Sequence, residues 1–357
     1  MSQSRRLLIT GGAGFIGANF VHYWQQHYPN DRIVVLDALT YAGNRSNLEG
    51  LEQKITYRFV QGDICDRTLV DSLLSEEKID TLVHFAAESH VDRSILGPGA
   101  FVQTNVVGTF SLLESFRMRW QAEDKPSDYR FHHISTDEVY GSLSSTDPAF
   151  SETTPYSPNS PYSASKAGSD HLVRSYFHTY GLPTLITNCS NNYGPYQFPE
   201  KLIPLICINI LTGKNLPIYG DGQNIRDWLH VSDHCSAVAT VLEKSQPGEM
   251  YNIGGNNEVK NLDLVHMLCD ILDELAPDIP VRPSKELITF VQDRQGHDRR
   301  YAIDSTKVQQ KLGWTPSISV EQGLKQTVKW YLANQNWWRP LLSEEYRAYY
   351  DSVYALI

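Results

Sequence analysis

The chain has 357 residues, a formal net charge of −10, 41% hydrophobic residues and 20% charged residues, which is an ordinary composition for a globular protein. An acidic chain lacks the basic surface that nucleic-acid binding requires, and no stretch approaches the ~20 apolar residues of a membrane span. Its five scattered cysteines contain no C-x-x-C pair, a pattern typical of reduced thiols. We therefore expect a cytoplasmic protein with no nucleic-acid partner and no membrane association.

Apolar, β-branched runs alternate with helical patterns in the first half of the chain. Strands are predicted at Leu7–Thr10, Ile33–Asp37, Thr56–Val60, Leu82–Ala86, Phe131–Thr136 and Thr184–Asn188. Helices are predicted between them at Phe15–His27, Arg67–Ser75, Phe101–Trp120 and Ser160–Tyr180. Several of these strands are apolar throughout, as expected when both faces of a sheet are covered. The alternation therefore predicts an α/β fold with a doubly wound parallel sheet of the Rossmann type.

The regular alternation ends after Asn188. The elements predicted beyond it are a loop over 193–199, a helix at Leu202–Thr212, short strands at Ile218–Gly222 and Arg226–His230, and a helix at Leu262–Leu275. The segment Val231–Ile253 is expected to return to the first domain as a helix and a strand. We therefore predict a Rossmann domain of residues 1–190 plus about 229–254, and a smaller α/β substrate lobe of about 191–228 plus 255–357.

A glycine-rich turn joins the first predicted strand to the first predicted helix. Gly11, Gly14 and Gly17 are spaced G-x-x-G-x-x-G, which allows a tight turn and close approach of a pyrophosphate to the helix N-terminus. Asp37 closes the next strand, twenty residues after Gly17, where a carboxylate would bind a ribose diol and repel a 2′-phosphate. The pattern therefore predicts NAD rather than NADP.

Further residues are expected at the same edge of the sheet, where ligands of open sheets bind. They lie at or just after the ends of the third and fourth predicted strands and are Asp63, Ile64, Phe85, Ala86, Ala87 and Ser89.

Tyr162 and Lys166 are four residues apart and so share one face of a predicted helix. Free tyrosine titrates near ~10, and a nearby ammonium together with a nicotinamide cation would lower the pKa of this tyrosine and make it a base. Thr136, at the end of the fifth predicted strand, is placed to hydrogen-bond the same substrate hydroxyl.

Two acids, Asp137 and Glu138, come directly after Thr136. Adjacent side chains of an extended strand point to opposite faces, so we expect the chain to leave the strand at Thr136 and turn through both acids. Two neighbouring carboxyls in a partly desolvated site do not ionise equally, and they titrate as a coupled pair. One is then able to remove a proton while the other protonates a leaving group.

A bound diphosphate needs a local cluster of cations, because the chain as a whole is acidic. The candidates are Lys201, Arg226, Arg294 and His297, with Asn191 and Asn261 as neutral hydrogen-bonding groups. His230 and His234 have no third ligand nearby in the sequence, so we expect no metal site. His132 and His133 on the fifth strand are predicted to be packing residues.

These motifs resemble the extended short-chain dehydrogenase/reductases that act on nucleotide sugars, and among them the dTDP-glucose 4,6-dehydratases. Adjacent acids after Thr136 favour the dehydratases, because related 4-epimerases usually lack that pair. In the segment that contains Arg294 and His297, Gln295 stands where the family usually has proline, while Arg294 and His297 are retained. The matching segments are Gly11–Gly17, Phe85–Ser89, Ser135–Gly141, Ser160–Asp170, Asn188–Pro195, Lys201–Pro204, Arg226–Leu229 and Asp293–Asp304.

The resemblance implies a reaction. Tyr162 would take the sugar C4 hydroxyl proton as hydride passes from C4 to NAD, Glu138 would remove the C5 proton, and Asp137 would protonate the departing C6 hydroxyl. Return of hydride to C6 would leave a 4-keto-6-deoxyglucose on its nucleotide. The resemblance also implies a homodimer formed through a four-helix bundle of the predicted helices Phe101–Trp120 and Ser160–Tyr180.

The resemblance further implies contacts. Those to the cofactor, besides the residues named above, are Phe15, Ile16, Leu39, Thr40, Thr104, Tyr162, Lys166 and Asn192. Those to the nucleotide sugar are Ser89, Thr136, Leu202, Pro217, Ile218 and Tyr219, in addition to the cations and amides named above.

Alternatives remain open from the sequence. A nucleotide-sugar epimerase or decarboxylase would share the oxidation at C4 and differ in the following step. A catalytically silent NAD-sensing protein would need the glycine turn but not Tyr162, Lys166 or the two acids. Thymidine rather than uridine is implied by the resemblance alone.

Overall fold

The computed structural model describes residues 4–344 together with residues 346, 348 and 350. Within these residues the strands are β1 (Arg6–Thr10), β2 (Arg32–Asp37), β3 (Tyr57–Gln61), β4 (Thr81–His84), β5 (Arg130–Thr136), β6 (Thr184–Cys189), β7 (Asn191–Tyr193), β8 (Leu216–Tyr219), β9 (Ile225–His230), β10 (Met250–Ile253), β11 (Glu258–Lys260) and β12 (Ile288–Val291).

The α-helices of the same residues follow the chain between and after these strands. They are α1 (Phe15–His27), α2 (Arg67–Glu76), α3 (Val91–Leu96), α4 (Pro98–Phe101), α5 (Thr109–Ala122), α6 (Pro161–Tyr180), α7 (Leu202–Thr212), α8 (Val231–Lys244), α9 (Asn261–Leu275), α10 (Thr306–Leu312), α11 (Val320–Ala333) and α12 (Gln335–Trp338). None of the helices in the described part of the chain is both long and apolar enough to cross a bilayer.

Seven parallel strands form the main sheet, in the order β10-β6-β5-β4-β1-β2-β3. On β1, Leu8 lies opposite Val34 of β2 on one side and Leu82 of β4 on the other. This is the doubly wound order of a dinucleotide-binding fold, with its switch point between β1 and β4. The predicted α/β fold with a parallel Rossmann sheet is therefore confirmed.

Both faces of the sheet are covered, which explains why its strands are apolar throughout. Leu7 and Ile9 pack with α1 and α8 on one face, where Trp24 and Val238 are buried. Leu8 packs on the other face with residues of α5 and α6 such as Phe116 and Val173. Alternate residues of one strand thus enter two different cores, as the two-residue period of a strand requires.

After β6 the chain builds a second core around α7, α9 and α11, beside two small sheets in the orders β11-β9-β7 and β12-β8. The segment Val231–Ile253 returns to the main sheet, as predicted, because α8 covers one face and β10 pairs with β6. The strands β7, β11 and β12 were not predicted from the sequence. Each has only three or four residues, which is too short to show a period.

The helix predicted at Phe101–Trp120 is not uniform. Pro98 begins the short helix α4, and residues Val102–Gly108 form a π-helical stretch before α5 continues the same rod. Asn105, in the π stretch, turns into the core and pairs its amide with both the N–H and the C=O of Glu88. A wider turn at a functional site is a common reason for a π stretch.

Helix α6, which carries Tyr162 and Lys166, begins with a reciprocal cap. Ser163 N donates to Ser160 Oγ at 3.1 Å, and Ser160 N donates to Ser163 Oγ at 3.0 Å. Pro161 occupies the first turn, where its missing N–H costs nothing, and Gly181 ends the helix at φ +73°. The first turn, and with it Tyr162, is therefore fixed by local side-chain hydrogen bonds.

We expect Ser160→Ala to lower the free energy of unfolding by about 1 kcal/mol, because a helix N-cap is lost. Ser175→Ala is the matched control, since Ser175 is exposed in the same helix and bonds only the Leu172 carbonyl that precedes it by one turn. The control should be neutral or slightly stabilising, because alanine is the better helix former. Thermal unfolding of both variants checks this, and equal midpoints would contradict the role given to the cap.

Candidate active site

The glycine turn between β1 and α1 has no room for side chains. A Cβ on Gly11 would lie 2.5 Å from Ala86 N, and a Cβ on Gly17 would overlap the Gly11 carbonyl oxygen. Gly11 also has a φ of +69°, which L side chains rarely adopt. The backbone of the turn and the N-terminus of α1 are therefore open to a ligand phosphate.

Asp37 lies beside this turn at the end of β2. Its carboxylate accepts from Ala13 N at 2.9 Å and from Leu39 N at 2.8 Å, and burial raises its pKa. Leu39 itself has a φ of +53°, so the loop bends sharply after Asp37. An acceptor held in this position is what a ribose diol requires.

One continuous cleft runs from the glycine turn to the two acids. It is lined by all the predicted cofactor residues apart from Leu39, whose side chain packs against the core instead, and by Ser89, Thr136, Asp137, Glu138, Asn191 and Lys201. Glu88, Cys189, Ser190, Gln197, Phe198 and Glu200 also line the cleft and were not predicted to do so. The last three belong to the loop over 193–199 and its continuation, whose position no sequence period reports.

The two acids are brought together by a turn. β5 ends at Thr136, whose Oγ1 accepts from Glu138 N at 3.2 Å, and residues Asp137–Tyr140 form a single 3-10 turn. Gly141 ends the turn at φ +93°, where a Cβ would lie 2.5 Å from Ser157 O. The predicted departure of the chain from the strand at Thr136 is confirmed, and both acids line the cleft.

The two carboxyls lie in unequal surroundings. Asp137 is 1% exposed, and burial, followed by the charge of Glu138, raises its pKa well above the usual range. Burial also raises the pKa of Glu138, but Arg294, Arg226 and Lys201 all act to lower it. Asp137 therefore retains its proton more readily than Glu138, as an acid and base pair requires.

Tyr162 is buried and faces the acids. Burial raises its pKa well above 10, Glu138 and Cys189 raise it further, and a hydrogen bond with Thr136 lowers it. In the protein alone the pKa is raised because the ring is buried in a site that already holds two acids. The lower pKa expected with a nicotinamide cation beside the ring stays a prediction. The phenolate therefore depends on nearby positive charge.

Lys166 is 4% exposed, and its side chain contacts β5. Its Nζ donates to the Ile134 carbonyl at 2.8 Å and lies 3.5 Å from His133 Nε2. The same His133 nitrogen lies 3.2 Å from Asp170 Oδ1, and burial lowers the pKa of both Lys166 and His133.

The two histidines of β5 therefore differ. Both rings are fully buried, as expected of packing residues. His133 faces Lys166 and Asp170 of α6, whereas Nε2 of His132 lies 3.1 Å from Thr187 Oγ1 of the neighbouring strand. One feature of the sequence could have indicated a charged group near Lys166, because Asp170 follows it by one helical turn.

A basic cluster borders the acids. Arg226 donates to the Asp298 carbonyl at 2.9 Å and stacks on Tyr301, Arg294 lies 3.6 Å from Asp92, and Lys201 donates to Ser89 O at 2.9 Å. Because the charges of Arg226, Arg294 and Lys201 all act on Glu138, these cations and the acids share one site.

The other predicted sugar contacts have different surroundings. Tyr219 donates to Asp92 at 3.3 Å and its ring meets that of His297 edge-on, so both are beside Arg294. Ile218 and Pro217 are buried residues of β8, and Leu202 packs against the second core. Asn191 and Asn261 each have a buried side-chain oxygen with no hydrogen-bond partner among the described residues.

His230 and His234 have structural partners. His230 Nδ1 accepts from Ser232 N at 3.3 Å, and His234 Nδ1 lies 2.9 Å from Asn192 Oδ1. Asp233, between them, accepts from Ser317 N and Ile318 N. In residues 4–344, 346, 348 and 350, no group of three His, Cys, Asp or Glu side chains is arranged to hold a metal ion.

Comparison with known proteins covers nearly the whole chain. The family model described as GDP-mannose 4,6 dehydratase matches residues 8–327. The dTDP-glucose 4,6-dehydratase of Xanthomonas campestris pv. campestris (strain B100) is 57% identical over 342 residues, which are 95% of this chain and 97% of that protein.

Solved structures give the same result. The dTDP-glucose 4,6-dehydratase of Streptomyces venezuelae with NAD and TYD bound is 48% identical with a TM-score of 0.86, over 94% of this chain and 99% of that one. The dTDP-glucose 4,6-dehydratase of Bacillus anthracis str. Ames in complex with NAD is 46% identical with a TM-score of 0.84, over 95% and 100% of the two chains.

Proposed function

Since the chain belongs to the GDP-mannose 4,6 dehydratase family and, within it, to the dTDP-glucose 4,6-dehydratases, we propose that it converts dTDP-glucose to the 4-keto-6-deoxy sugar with NAD as cofactor. One observation carries the proposal. A single cleft joins the glycine turn to Tyr162 and to a pair of acids that have unequal affinities for a proton.

The cleft fits NAD. The glycine turn leaves its backbone amides accessible, and Asp37 provides the acceptor that a ribose diol needs and that a 2′-phosphate would meet as a like charge. The chemistry that NAD supplies there is acceptance of hydride from sugar C4 and its return to C6.

Each catalytic side chain has its own step. Tyr162 takes the C4 hydroxyl proton, and Thr136, which is hydrogen-bonded to it, orients the same hydroxyl. The ketone at C4 acidifies the C5 proton, which Glu138 removes, because three neighbouring cations favour its carboxylate form. Asp137 donates the proton with which the C6 hydroxyl leaves as water, because burial and Glu138 keep it protonated. When hydride has returned to C6, Glu138 gives its proton back to C5, which completes the 4-keto-6-deoxy product.

The basic cluster holds the diphosphate. Arg226 and Arg294 offer planar guanidinium groups that match phosphate oxygens, and Lys201 adds a point charge. Such local cations are needed because the whole chain has a net charge of −10 and would otherwise repel an anionic substrate. A 4-epimerase or decarboxylase would not need the acid pair, which is why we favour the dehydratase.

We expect Glu138→Gln to separate the steps of the reaction. Hydride should still pass from the sugar, seen as absorbance of reduced nicotinamide, while formation of 4-keto-6-deoxy product falls at least about 100-fold, because the base for C5 is lost. Glu152→Gln, outside the cleft, is the control and should retain activity. Unchanged product formation in the Glu138 variant would refute the assigned role, as would failure to reduce the cofactor.

The nucleotide is tested separately. We expect turnover of dTDP-glucose to exceed that of UDP-glucose when ketone formation is measured at equal concentrations. A preference for UDP-glucose would reassign the substrate within the same chemistry. A protein inert toward both sugars would instead support the NAD-sensing alternative.

We also propose that the enzyme is a homodimer. The rod of α4, the π stretch and α5 exposes a row of apolar side chains, and Tyr180 extends it on α6. The row comprises Val102, Val107, Phe110 and Met118, which are 40–52% exposed. An apolar patch on two neighbouring helices fits a four-helix bundle formed with the same helices of a second copy.

Phe110→Asp should convert the dimer to a monomer in sedimentation equilibrium, because a carboxylate would be buried in the bundle. Phe290→Asp is the matched control, since Phe290 is 54% exposed on β12 away from these helices. It should remain dimeric. A Phe110 variant with the mass of the wild-type dimer would exclude this surface as the interface.

The location and the domain limits complete the proposal. We place the enzyme in the cytoplasm because its five cysteines are all free thiols, four of them buried. We retain the Rossmann domain of residues 1–190 plus about 229–254 and the lobe of about 191–228 plus 255–357, since all seven strands of the main sheet fall in the first. Residues 1–3, 345, 347, 349 and 351–357 of these ranges lie outside the described residues.

A further inference from the structure

A buried lysine keeps its proton only if an anion is close, because burial disfavours the ammonium. Lys166 is in that situation, and its proton matters, because Tyr162 depends on positive charge to become a phenolate. The titratable groups that face Lys166 come from four elements. They are Asp170 on its own helix, His133 on β5, His84 on β4 and Cys189 on β6.

Only one of these four groups, the carboxyl of Asp170, is able to supply a negative charge. Burial lowers the pKa of His84 and His133 well below their ordinary value, so both rings are neutral. Burial raises the pKa of Cys189 to about 12, so the thiol is neutral too. The carboxyl of Asp170 remains.

Burial raises the pKa of Asp170, and the hydrogen bonds that its carboxyl accepts act in the opposite direction. Its Oδ2 accepts from Ser135 Oγ at 2.8 Å, from Tyr156 OH at 2.9 Å and from Asn188 Nδ2 at 3.3 Å. These three donors oppose the effect of burial on the pKa of the carboxyl, and so does the charge of Lys166. Its other oxygen, Oδ1, lies 3.2 Å from His133 Nε2.

The His133 ring lies between the two charges. Its Nε2 is within reach of both Lys166 Nζ and Asp170 Oδ1, at 3.5 and 3.2 Å. The ring is fully buried and so excludes water from the space between Lys166 and Asp170. Asp170 is one helical turn after Lys166, which itself is one turn after Tyr162. The three side chains thus form a row on the face of α6 that meets β5.

From this row and the proposed function of the site, we propose that Asp170, acting across the His133 imidazole, is the buried counter-ion of Lys166, and that both are positioning residues that keep the ammonium charged beside Tyr162. Neither residue touches the substrate. Both act through Lys166 on the base, so their effect is on the pH at which the first hydride transfer begins.

The test is the pH profile of that transfer, measured in a single turnover of enzyme with bound NAD and dTDP-glucose. Its rate rises with pH as Tyr162 loses its proton. In Asp170→Asn, Lys166 should lose its proton more easily, so that the phenolate loses its neighbouring cation. The rise of the rate should then occur about one pH unit higher, which is a roughly tenfold slower transfer at pH 7.

The sign of the shift is decisive. If Lys166 stays charged without Asp170, removal of a negative charge lowers the pKa of Tyr162 and the rise moves to lower pH. If Asp170 only supports the packing, the rise does not move. Either result overturns the proposal. Failure of the proposed function is a different observation, namely wild-type protein that does not oxidise dTDP-glucose at any pH.

An arginine in place of Lys166 provides the control, because its positive charge does not depend on Asp170. In the Lys166→Arg background the guanidinium remains protonated at every working pH. Asp170→Asn should then no longer move the rise to higher pH. A shift of the same size and direction in both backgrounds would show that Asp170 does not act through the lysine.

The adjacent histidines give a second test that does not alter Asp170. His133→Gln and His132→Gln remove equally buried rings from neighbouring positions of β5. Only the first should move the rise to higher pH, while thermal unfolding and bound NAD show that both variants are folded. Equal shifts for the two variants, or none for His133→Gln, would overturn the part assigned to His133.

Discussion

The site depends on a change of backbone direction at the end of β5. Had the strand continued, Asp137 and Glu138 would have pointed to opposite faces of the sheet. Instead the Thr136 hydroxyl accepts from Glu138 N, a 3-10 turn follows, and Gly141 closes it in a conformation that other residues would strain. Both carboxyls therefore enter the cleft that also holds Tyr162, and the rest of the chemistry follows from their proximity.

Burial changes the pKa of the four groups at the centre of this cleft, and it shifts acids and bases in opposite directions. It raises the pKa of Asp137, Glu138 and Tyr162 and lowers that of Lys166. Left uncompensated, all four groups would become neutral. The charges of Arg226, Arg294 and Lys201 offset burial for Glu138. For Asp137, Arg226 also acts against burial, but the charges of Glu138 and Asp227 raise the pKa further. Local charge placed on one acid, rather than the kind of side chain, thus distinguishes the base from the acid.

The elements of the main sheet could be predicted because long, apolar strands and amphipathic helices show their periods in the sequence. The helix Phe15–His27 was predicted with the observed limits. Short strands such as β7 and the π stretch at Val102–Gly108 could not be predicted, since each depends on tertiary contacts. The contacts of His133 with Lys166 and Asp170 could not be predicted for the same reason. Which face of β5 meets α6 is decided by packing, and no spacing in the sequence reports it.

Helix α6 carries the residues of the site on one face and contributes to the proposed dimer surface. Tyr162, Lys166 and Asp170 are spaced by one turn each, so a single face of the helix carries the proposed base, its cation and the proposed counter-ion. The reciprocal cap at Ser160 fixes where that face begins. Near the other end, Tyr180 extends the apolar surface of the proposed dimer. Because a helix is stiff along its length, a copy docked on that surface would also fix the position of the catalytic face. Dimer formation and placement of the base would then depend on the same twenty residues.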